Sequence, residues 1–204
     1  MVRTTHLEMV SPEQWVRRGR ADLDIEVREC VVKQPRLNRF LYEYVGGDWG
    51  WTDRLVWPDD KWHDYAAAPD LRTFVAYRQG SIAGYYELQR QEEGQGSGPP
   101  TQKSARGNPS PTCGTAAPGC GGQQIAPEGG PAPGGLSVEI RIFGLTPPFI
   151  GRGYGGPLLD SAVQNAFAWG ADRVWVHTCN YDHPNALNNY LKSGFQIFKV
   201  EEKP

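Results

Sequence analysis

A glycine-rich segment, residues 150–159, has the residue types and spacing that point most directly to chemistry. It reads IGRGYGGPLL. Glycines let backbone N–H groups turn towards one point and let a ligand approach closely. Pro157 suits the first turn of a following helix, where its missing N–H is not needed. The segment therefore predicts free amides at a helix N-terminus, which suit an anion such as a pyrophosphate, with Arg152 as an added cation.

The same segment is also compatible with an ordinary turn before a helix. It contains no Gly-Lys-Ser/Thr, which argues against a P-loop NTPase. The spacing of Gly151, Gly153 and Gly155 does not fit the dinucleotide fingerprint, whose third glycine comes later. A binder of nucleotide phosphates therefore stays open only as a weaker hypothesis.

A second polar run, HTCNYDHP, covers residues 177–184. His177 and Cys179 suggest a nucleophilic pair or a metal site, but the companion ligands and spacing of either are lacking. We predict instead that Asp182 caps a helix beginning at His183 and Pro184. The histidines are then structural residues or contact the molecule that is modified (the acceptor), and no metal is expected. The chain's cysteines, which match no zinc pattern, are Cys30, Cys113, Cys120 and Cys179.

An aromatic loop, residues 48–57, is the third segment of interest. Aromatic faces can hold a cation, and Asp53 can hold an ammonium group. The loop therefore predicts a wall that binds an amine. The alternative is a tryptophan cluster packed over the edge of the core. The residues assigned to this wall are Trp49, Trp51, Asp53, Arg54 and Trp57.

Hydrophobic periodicity predicts the elements that position these segments. Strands are predicted at Thr5–Val10, Asp24–Val32, Leu71–Arg78, Ile82–Gln91, Ser137–Leu145, Arg173–Thr178 and Phe195–Val200. Helices are predicted to start at Ser11-Pro12 and to cover Pro35–Val45, 58–68, Pro157–Trp169 and Pro184–Lys192. The order indicates one mixed α/β (α+β) domain over residues 1–204.

Residues 92–135 interrupt this pattern between two strands. Of these 44 residues, 12 are glycine and 8 are proline, and Ile125 is the one large aliphatic residue. Such a composition cannot bury enough apolar surface to offset the entropy of ordering. We predict a disordered insertion, which a fold tolerates because loop-closure entropy grows only slowly with length.

Charge and hydropathy narrow the class of protein. The formal net charge of the 204 residues is −2, so no basic field predicts nucleic acid as a partner. No apolar run approaches the ~18 residues that suggest a membrane helix. The N-terminal residues lack the apolar stretch of a secretory signal, and we expect a cytoplasmic protein with reduced cysteines.

Two spaced motifs resemble the Gcn5-related N-acetyltransferase (GNAT) superfamily. Gly153 and Gly155 occupy the glycine positions of its Gln/Arg-x-x-Gly-x-Gly/Ala motif, whereas Ile150 replaces the usual first residue. The second motif follows in the correct order, with Ala186, Tyr190, Gly194 and Phe195 at its positions and His183 where asparagine is usual. The similarity extends over roughly residues 71–200 apart from the insertion, judged by the order of elements.

The resemblance implies a mostly antiparallel sheet of about seven strands, with splayed central strands and about four flanking helices. Acetyl-CoA would be the co-substrate, with its pantetheine arm lying beside the strand Ser137–Leu145 as an added strand. Gly144 would allow close approach, and its place inside a strand suggests a bulge. The implied coenzyme-binding residues are Phe143, Gly144, Leu145, Ile150, Gly151, Arg152, Gly153, Tyr154, Gly155 and Gly156.

The resemblance also suggests catalytic residues. Glu139 stands eleven residues before Ile150, the spacing at which the histone-acetyltransferase branch carries its catalytic glutamate. A half-buried carboxylate of raised pKa would serve as the general base. Tyr190 would be the general acid, and the Leu145 N–H the oxyanion donor. The alternatives are that Glu139 is a polar residue of a half-exposed strand and that Tyr190 only packs.

The predicted function is therefore acetyl transfer from acetyl-CoA to a primary amine by direct attack in a ternary complex. The alternative is a non-catalytic acyl-CoA-binding or regulatory module on the same fold. The acceptor is a small molecule or a peptide of unspecified identity. The protein is expected to be a monomer or a homodimer, without nucleic-acid or membrane partners.

Overall fold

The computed structural model describes residues 1–20, 22–91 and 135–203. The predicted insertion, apart from its last residue, lies outside these ranges, as do Cys113 and Cys120. Among the described helices, none has the length and apolar character needed to cross a membrane.

Seven strands and four α-helices are present in the described residues. The strands are β1 (Val2–Met9), β2 (Glu26–Glu29), β3 (Leu71–Arg78), β4 (Ser81–Gln91), β5 (Ser137–Leu145), β6 (Arg173–Cys179) and β7 (Gln196–Lys203). The helices are α1 (Pro35–Gly46), α2 (Asp59–Ala67), α3 (Gly155–Ala168) and α4 (Ala186–Lys192). The helix expected from Ser11 is a single 3₁₀ turn, Pro12–Gln14, which Ser11 caps.

The strands form one sheet in the order β2-β3-β4-β5-β6-β1-β7. Every neighbouring pair is antiparallel except β5 and β6, which are parallel. A parallel pair needs a long crossover, and α3 provides it. The predicted mixed, mostly antiparallel sheet of about seven strands with about four helices is confirmed.

The central strands β5 and β6 pair along only part of their length. Their register covers Ser137–Glu139 against Arg173–Trp175, and no further pairs follow in the described residues. Beyond this point the strands separate, so the edge of β5 that faces β6 carries unpaired backbone groups over residues 140–145. The predicted splay is therefore confirmed, and it opens a cleft in the middle of the sheet.

A β-bulge lies next to the point where the strands separate, but it is not at Gly144. On β4, Glu87 pairs with Ile142 and Leu88 pairs with Ile140, which leaves Arg141 as the extra residue. Gly144 instead allows helix packing, because a Cβ there would stand 2.4 Å from Val45 Cγ1. The bulge predicted from the glycine is therefore wrong in position, since close approach of α1 explains this glycine.

Two apolar layers cover the faces of the sheet. Tyr85 and Tyr86 are adjacent on β4 and completely buried, and they point to opposite faces because side chains alternate along a strand. Tyr86 belongs to the cluster formed with α3, whereas Tyr85 packs with residues of α1 and α2. The helices therefore lie on both faces of the sheet. The cleft opens between the C-terminal ends of β5 and β6.

Candidate active site

A cavity of about 600 Å³ opens where β5 and β6 separate. Four segments surround it: the outer half of β5, the glycine loop before α3, the end of β6 with α4, and the loop between α1 and α2. The residues that line it include Trp49, Trp51, Asp53, Arg54, Arg141, Phe143, Gly144, Leu145, Ile150, Gly151, Gly153, Gly155, His177, Cys179, Asp182, His183, Asn189 and Tyr190. The sheet topology thus brings together segments that are far apart in sequence.

The glycine loop presents backbone donors at one end of this cavity. Gly151 and Gly153 have φ values of +75° and +89°, a region that glycine adopts without strain. The N–H groups of Gly151, Arg152 and Gly153 donate to no backbone acceptor within the described ranges. Together with the first turn of α3, whose N–H groups lack intrahelical acceptors, they have the chemistry to hold an anion.

The predicted residues of this loop do not all reach the cavity. Ile150, Gly151, Gly153 and Gly155 line it. Arg152 is exposed and does not line it, and Tyr154 is buried with its ring 5.3 Å from that of Phe149. Gly156 packs against the N-terminal segment, because a Cβ there would stand 3.0 Å from Arg18 Cβ.

Two arginines that the sequence analysis missed lie beside the loop. A Cβ at Gly153 would stand 2.8 Å from Arg20 Nη1. Arg18 Nη1 donates to Asn189 Oδ1 at 3.0 Å, and Asn189 Nδ2 donates to the Gly155 carbonyl at 3.3 Å. The basic RRGR run at residues 17–20 was the available signal. Its proximity to the loop depends on long-range packing.

The N-terminal segment is attached to α3 by one carboxylate. Asp160 accepts hydrogen bonds from the Trp15 indole N–H at 2.9 Å and from the Arg18 backbone N–H at 2.6 Å. These contacts hold the segment against the start of α3. Arg18 and Arg20 are therefore placed near the amides of the glycine loop by a contact that spans more than 140 residues of sequence.

Glu139 does not have the environment expected of it. It is 2% exposed, and its carboxylate accepts hydrogen bonds from Gln91 at 2.7 Å and Arg141 at 2.9 Å. His177 Nδ1 lies 3.3 Å from its Oε1. Burial alone raises the pKa of Glu139, but the hydrogen bond from His177 and the charge of Arg141 outweigh it, so its pKa is lowered. The predicted rise in pKa is wrong because the sequence did not reveal these partners.

Tyr190 lies on the α4 side of the same cavity. Its side chain is almost buried, and its ring meets Phe143 of β5 edge-to-face at 5.9 Å between centroids. Burial, with a smaller contribution from the charge of Asp182, raises the pKa of Tyr190 well above its ordinary value. The phenol therefore keeps its proton at neutral pH.

Asp182 does not cap α4. Its Oδ2 accepts hydrogen bonds from the Thr178 hydroxyl and the Cys179 backbone N–H, both at 2.8 Å, and its Oδ1 accepts one from the Trp51 indole at 3.3 Å. The helix begins later, at Ala186, after Asn185. The predicted cap is therefore wrong, since Asp182 closes the turn after β6 and joins it to the aromatic loop.

Four of the five residues predicted for the aromatic wall line the cavity. Trp49, Trp51, Asp53 and Arg54 are among them. Trp57 is not, because its ring packs on Trp62 at a centroid distance of 5.3 Å. The wall is positioned by α1, where a Cβ at Gly46 would stand 2.3 Å from the Trp51 ring. For Trp57 the alternative of a packed tryptophan is correct.

The wall contains a buried cation. Arg54 is 8% exposed, and its guanidinium lies over the rings of Tyr42, Trp57 and Tyr65. Its Nη1 finds no hydrogen-bond partner in the described part of the chain. The nearest carboxylate is that of Glu87, at 3.9 Å. Asp53 accepts a hydrogen bond from the Tyr42 hydroxyl, so both charged residues of the wall are tied to the helices behind them.

Arg141 is a further cavity residue that the sequence analysis missed. The bulge between β4 and β5 brings it to the cavity, and its Nη1 bonds to Glu139. No feature of the sequence marks this bulge. Within the described ranges, no group of three or more His, Cys, Asp or Glu side chains is placed to hold a metal ion.

Comparison with solved structures identifies the fold. A GCN5-related N-acetyltransferase from Sphaerobacter thermophilus has a TM-score of 0.56 at 12% identity, over 98% of this chain and 49% of that chain. An aminoglycoside acetyltransferase from an uncultured soil metagenomic sample, in complex with trehalose, has a TM-score of 0.55 at 12% identity, over 85% and 90% of the two chains. A Trypanosoma brucei acetyltransferase has a TM-score of 0.53 at 16% identity, over 89% and 99%.

Comparison of sequences is more specific. Over 59 residues the chain is 37% identical to mycothiol acetyltransferase of Corynebacterium aurimucosum, a match that covers 29% of this chain and 19% of that relative. The chain thus matches about a fifth of that relative's length. The sequence model of the acetyltransferase (GNAT) family matches residues 38–195, which include β5, the glycine loop, β6 and α4. The chain therefore belongs to the GNAT acetyltransferase family.

Proposed function

We propose that this protein transfers an acetyl group from acetyl-CoA to a primary amine of a small molecule, by direct attack in a ternary complex. One observation carries the proposal: the unpaired edge of β5 leads along the cleft to the free amides of the glycine loop. An extended chain with an anionic end fits such a site, because the strand edge bonds its amides and the loop bonds its anion.

The coenzyme half of the cavity is assigned to these two elements. The amides of residues 151–153 and the first turn of α3 take the pyrophosphate, and Arg18 and Arg20 add positive charge beside them. The backbone of Phe143–Leu145 takes the pantetheine arm. The loss of a polar side chain at Ile150 leaves the backbone donors in place, so the departure from the family motif is compatible with binding.

Tyr190 is assigned as the general acid. It lies across the cleft from Phe143, and its raised pKa keeps the proton available until a thiolate forms beside it. The Leu145 N–H is assigned as the donor to the oxyanion of the tetrahedral intermediate. The general base is assigned to the opposite side of the cleft, where the carboxylate of Glu139 on β5 lies 3.3 Å from His177 on β6.

The acceptor is assigned to the opposite half, against the aromatic wall. Trp49 and Trp51 supply ring faces, while Asp53 and Asp182 supply negative charge. Such a wall suits a polar molecule that carries an amine. The named relatives include a mycothiol acetyltransferase and an aminoglycoside acetyltransferase, whose names are consistent with a small-molecule acceptor.

Two measurements test this function. Titration calorimetry is expected to give saturable binding of CoA and of acetyl-CoA, with ATP a weak competitor. Thiol release from acetyl-CoA, followed with a panel of amino-sugars, aminoglycosides, polyamines and lysine peptides, is expected to accelerate with at least one small amine. Binding of CoA without turnover on the whole panel would indicate an acyl-CoA-binding module, and absence of CoA binding would refute both functions.

A further inference from the structure

We propose that His177 is the general base of this reaction and that Glu139 is the residue that positions it. This assignment rests on the acetyltransferase function proposed above. It replaces the direct use of the Glu139 carboxylate, and it gives a role to a histidine that the sequence analysis treated as structural or acceptor-site.

The position of His177 in the fold brings it to the cavity. Its strand, β6, pairs with β5 only as far as Trp175, two residues earlier. After that point β5 is no longer a neighbour, so the imidazole projects where the cleft opens. Its side chain is 45% exposed and lines the same cavity as Tyr190. The two side chains therefore reach the cleft from different elements, β6 and α4.

The contact with Glu139 orients the ring. Nδ1 lies 3.3 Å from Glu139 Oε1, so a proton on Nδ1 stands next to the carboxylate. The other nitrogen, Nε2, then carries the lone pair of the neutral imidazole. A carboxylate in this position also stabilises the imidazolium that forms when Nε2 accepts a proton. In the Ser-His-Asp triad of hydrolases the acid and the histidine have the same two roles: the buried acid orients the ring, and the ring accepts the proton.

Glu139 itself is poorly placed to accept a proton from substrate. It is buried, it does not line the cavity, and it already accepts hydrogen bonds from Gln91 and Arg141 besides its contact with His177. A base must come within hydrogen-bond reach of the proton, directly or through one water. His177 satisfies this condition from the cavity wall, whereas Glu139 reaches substrate only through His177.

Titratable groups on the two strands next to β6 lie beside His177. His6 lies directly opposite on β1, with its ring 5.9 Å away, and burial followed by the proximity of His177 lowers the pKa of His6. His6 therefore adds less positive charge beside His177 than an ordinary histidine would. Glu139 on β5 and His6 on β1 contact His177, and Lys199 and Glu201 on β7 lie beside His6. The other titratable groups that line the same cavity near the end of β6 and on β5 include Arg141, Cys179, Asp182 and His183.

Every proton that moves during acetyl transfer has a donor and an acceptor. As the amine nitrogen forms its bond to the thioester carbonyl carbon, Nε2 of His177 accepts a proton from that nitrogen. The carbon–sulfur bond then breaks, its electron pair leaves with sulfur, and the Tyr190 hydroxyl donates a proton to that sulfur. The His177 proton passes to solvent and the Tyr190 oxygen regains one, so the products are the amide and free CoA thiol.

The test compares the pH profile of kcat/KM, from pH 5.5 to 9.5, for the parent, His177→Gln and Glu139→Gln. We expect His177→Gln to lower kcat/KM about 100-fold and to remove the acidic limb that the histidine contributes, leaving the rise with pH that deprotonation of the amine substrate causes. Glu139→Gln is expected to lower kcat/KM by less, through kcat with the KM of the amine little changed, because the imidazole keeps its place on β6 and loses only the carboxylate that orients it. His63→Gln, on the exposed face of α2, is the matched control and should leave both rate and profile unchanged.

Calorimetry with CoA, run on each variant, shows that the coenzyme site is intact. If Glu139→Gln does not fold, His177→Gln carries the test, because the His177 side chain is 45% exposed and is not part of the apolar core. A parent-like rate and profile for His177→Gln would overturn the assignment while leaving the acetyltransferase function standing. Loss of activity in Glu139→Gln with normal activity in His177→Gln would likewise overturn it. A parent that binds CoA but acetylates no amine would refute the function itself and, with it, this assignment.

Discussion

The guanidinium of Arg54, in the aromatic wall, lies 3.9 Å from the carboxylate of Glu87, and both side chains are buried. Glu87 also accepts hydrogen bonds from Asn38 at 2.7 Å and from the Tyr65 hydroxyl. Burial nevertheless dominates and raises the pKa of Glu87, despite the opposing charge of Arg54. The pair thus links Arg54 of the aromatic wall to the buried layer formed by α1 and α2. Burial of the charged Glu87 carboxylate lowers the stability of the folded protein.

This raised pKa predicts a pH-dependent stability. Because the folded carboxyl holds its proton more tightly than the unfolded one, the contribution of Glu87 to the free energy of unfolding falls as pH rises from about 4.5 to the raised value. In Glu87→Gln this titration is absent. The free energy of unfolding of the parent minus that of the variant should therefore decrease with pH, measured by urea unfolding between pH 4 and 8. Glu43→Gln, at an exposed position on α1, controls for the substitution, and a difference for Glu87→Gln that does not change with pH would contradict the prediction.

Tyr190→Phe separates proton donation from packing. The ring that packs against Phe143 is retained and only the hydroxyl is lost. We expect kcat to fall about 100-fold, with the Kd of CoA unchanged within about twofold. Steady-state kinetics and calorimetry measure the two quantities. Tyr44→Phe, at an exposed position on α1, is the control, and a normal kcat for Tyr190→Phe would remove the acid role.

Gly153→Ala is expected to weaken coenzyme binding. The residue has φ of +89°, which costs an alanine about 1–2 kcal/mol, and its new Cβ would stand 2.8 Å from Arg20 Nη1. Both effects turn the loop amides away from a shared anion, and we expect the Kd of CoA to rise at least about tenfold. Gly80→Ala supplies a matched control, since Gly80 has φ of +79° in the distant β3–β4 turn with no atom within 4 Å of its Cβ position. Equal Kd values for the two variants would contradict this role of the loop.

Two tryptophans of the aromatic loop should behave differently. Trp49 lines the cavity and meets His183 at 5.0 Å between ring centroids, whereas Trp57 packs on Trp62 and Tyr65 away from it. We expect Trp49→Leu to raise the KM for the amine about tenfold with little change in Tm. Trp57→Leu should instead lower Tm and leave this KM unchanged. Kinetics with one accepted amine, combined with thermal unfolding, tests the contrast, and a raised KM in Trp57→Leu alone would reverse the assignment.

Several features of the fold were predictable because they depend on residues close together in sequence. Alternation along Leu71–Arg78 and Ser137–Leu145 identified two strands with the bounds that the structure shows. The glycine loop and its helix followed from glycine and proline chemistry within ten residues. Gly194 belonged to the second motif, and the structure supplies its reason: a Cβ there would stand 1.9 Å from the Gln14 carbonyl oxygen.

The partners of the site residues depended on packing between distant segments. His177 and Arg141 contact Glu139 and lower its pKa, whereas the sequence predicted a raised pKa. Asp182 bonded to its own turn and to Trp51, which is 131 residues away. Residue types and short spacings therefore determined the elements and the location of the glycine loop. Only the tertiary structure decided which side chains meet in the cleft, because hydrogen bonds and burial between remote segments leave no periodic trace along the chain.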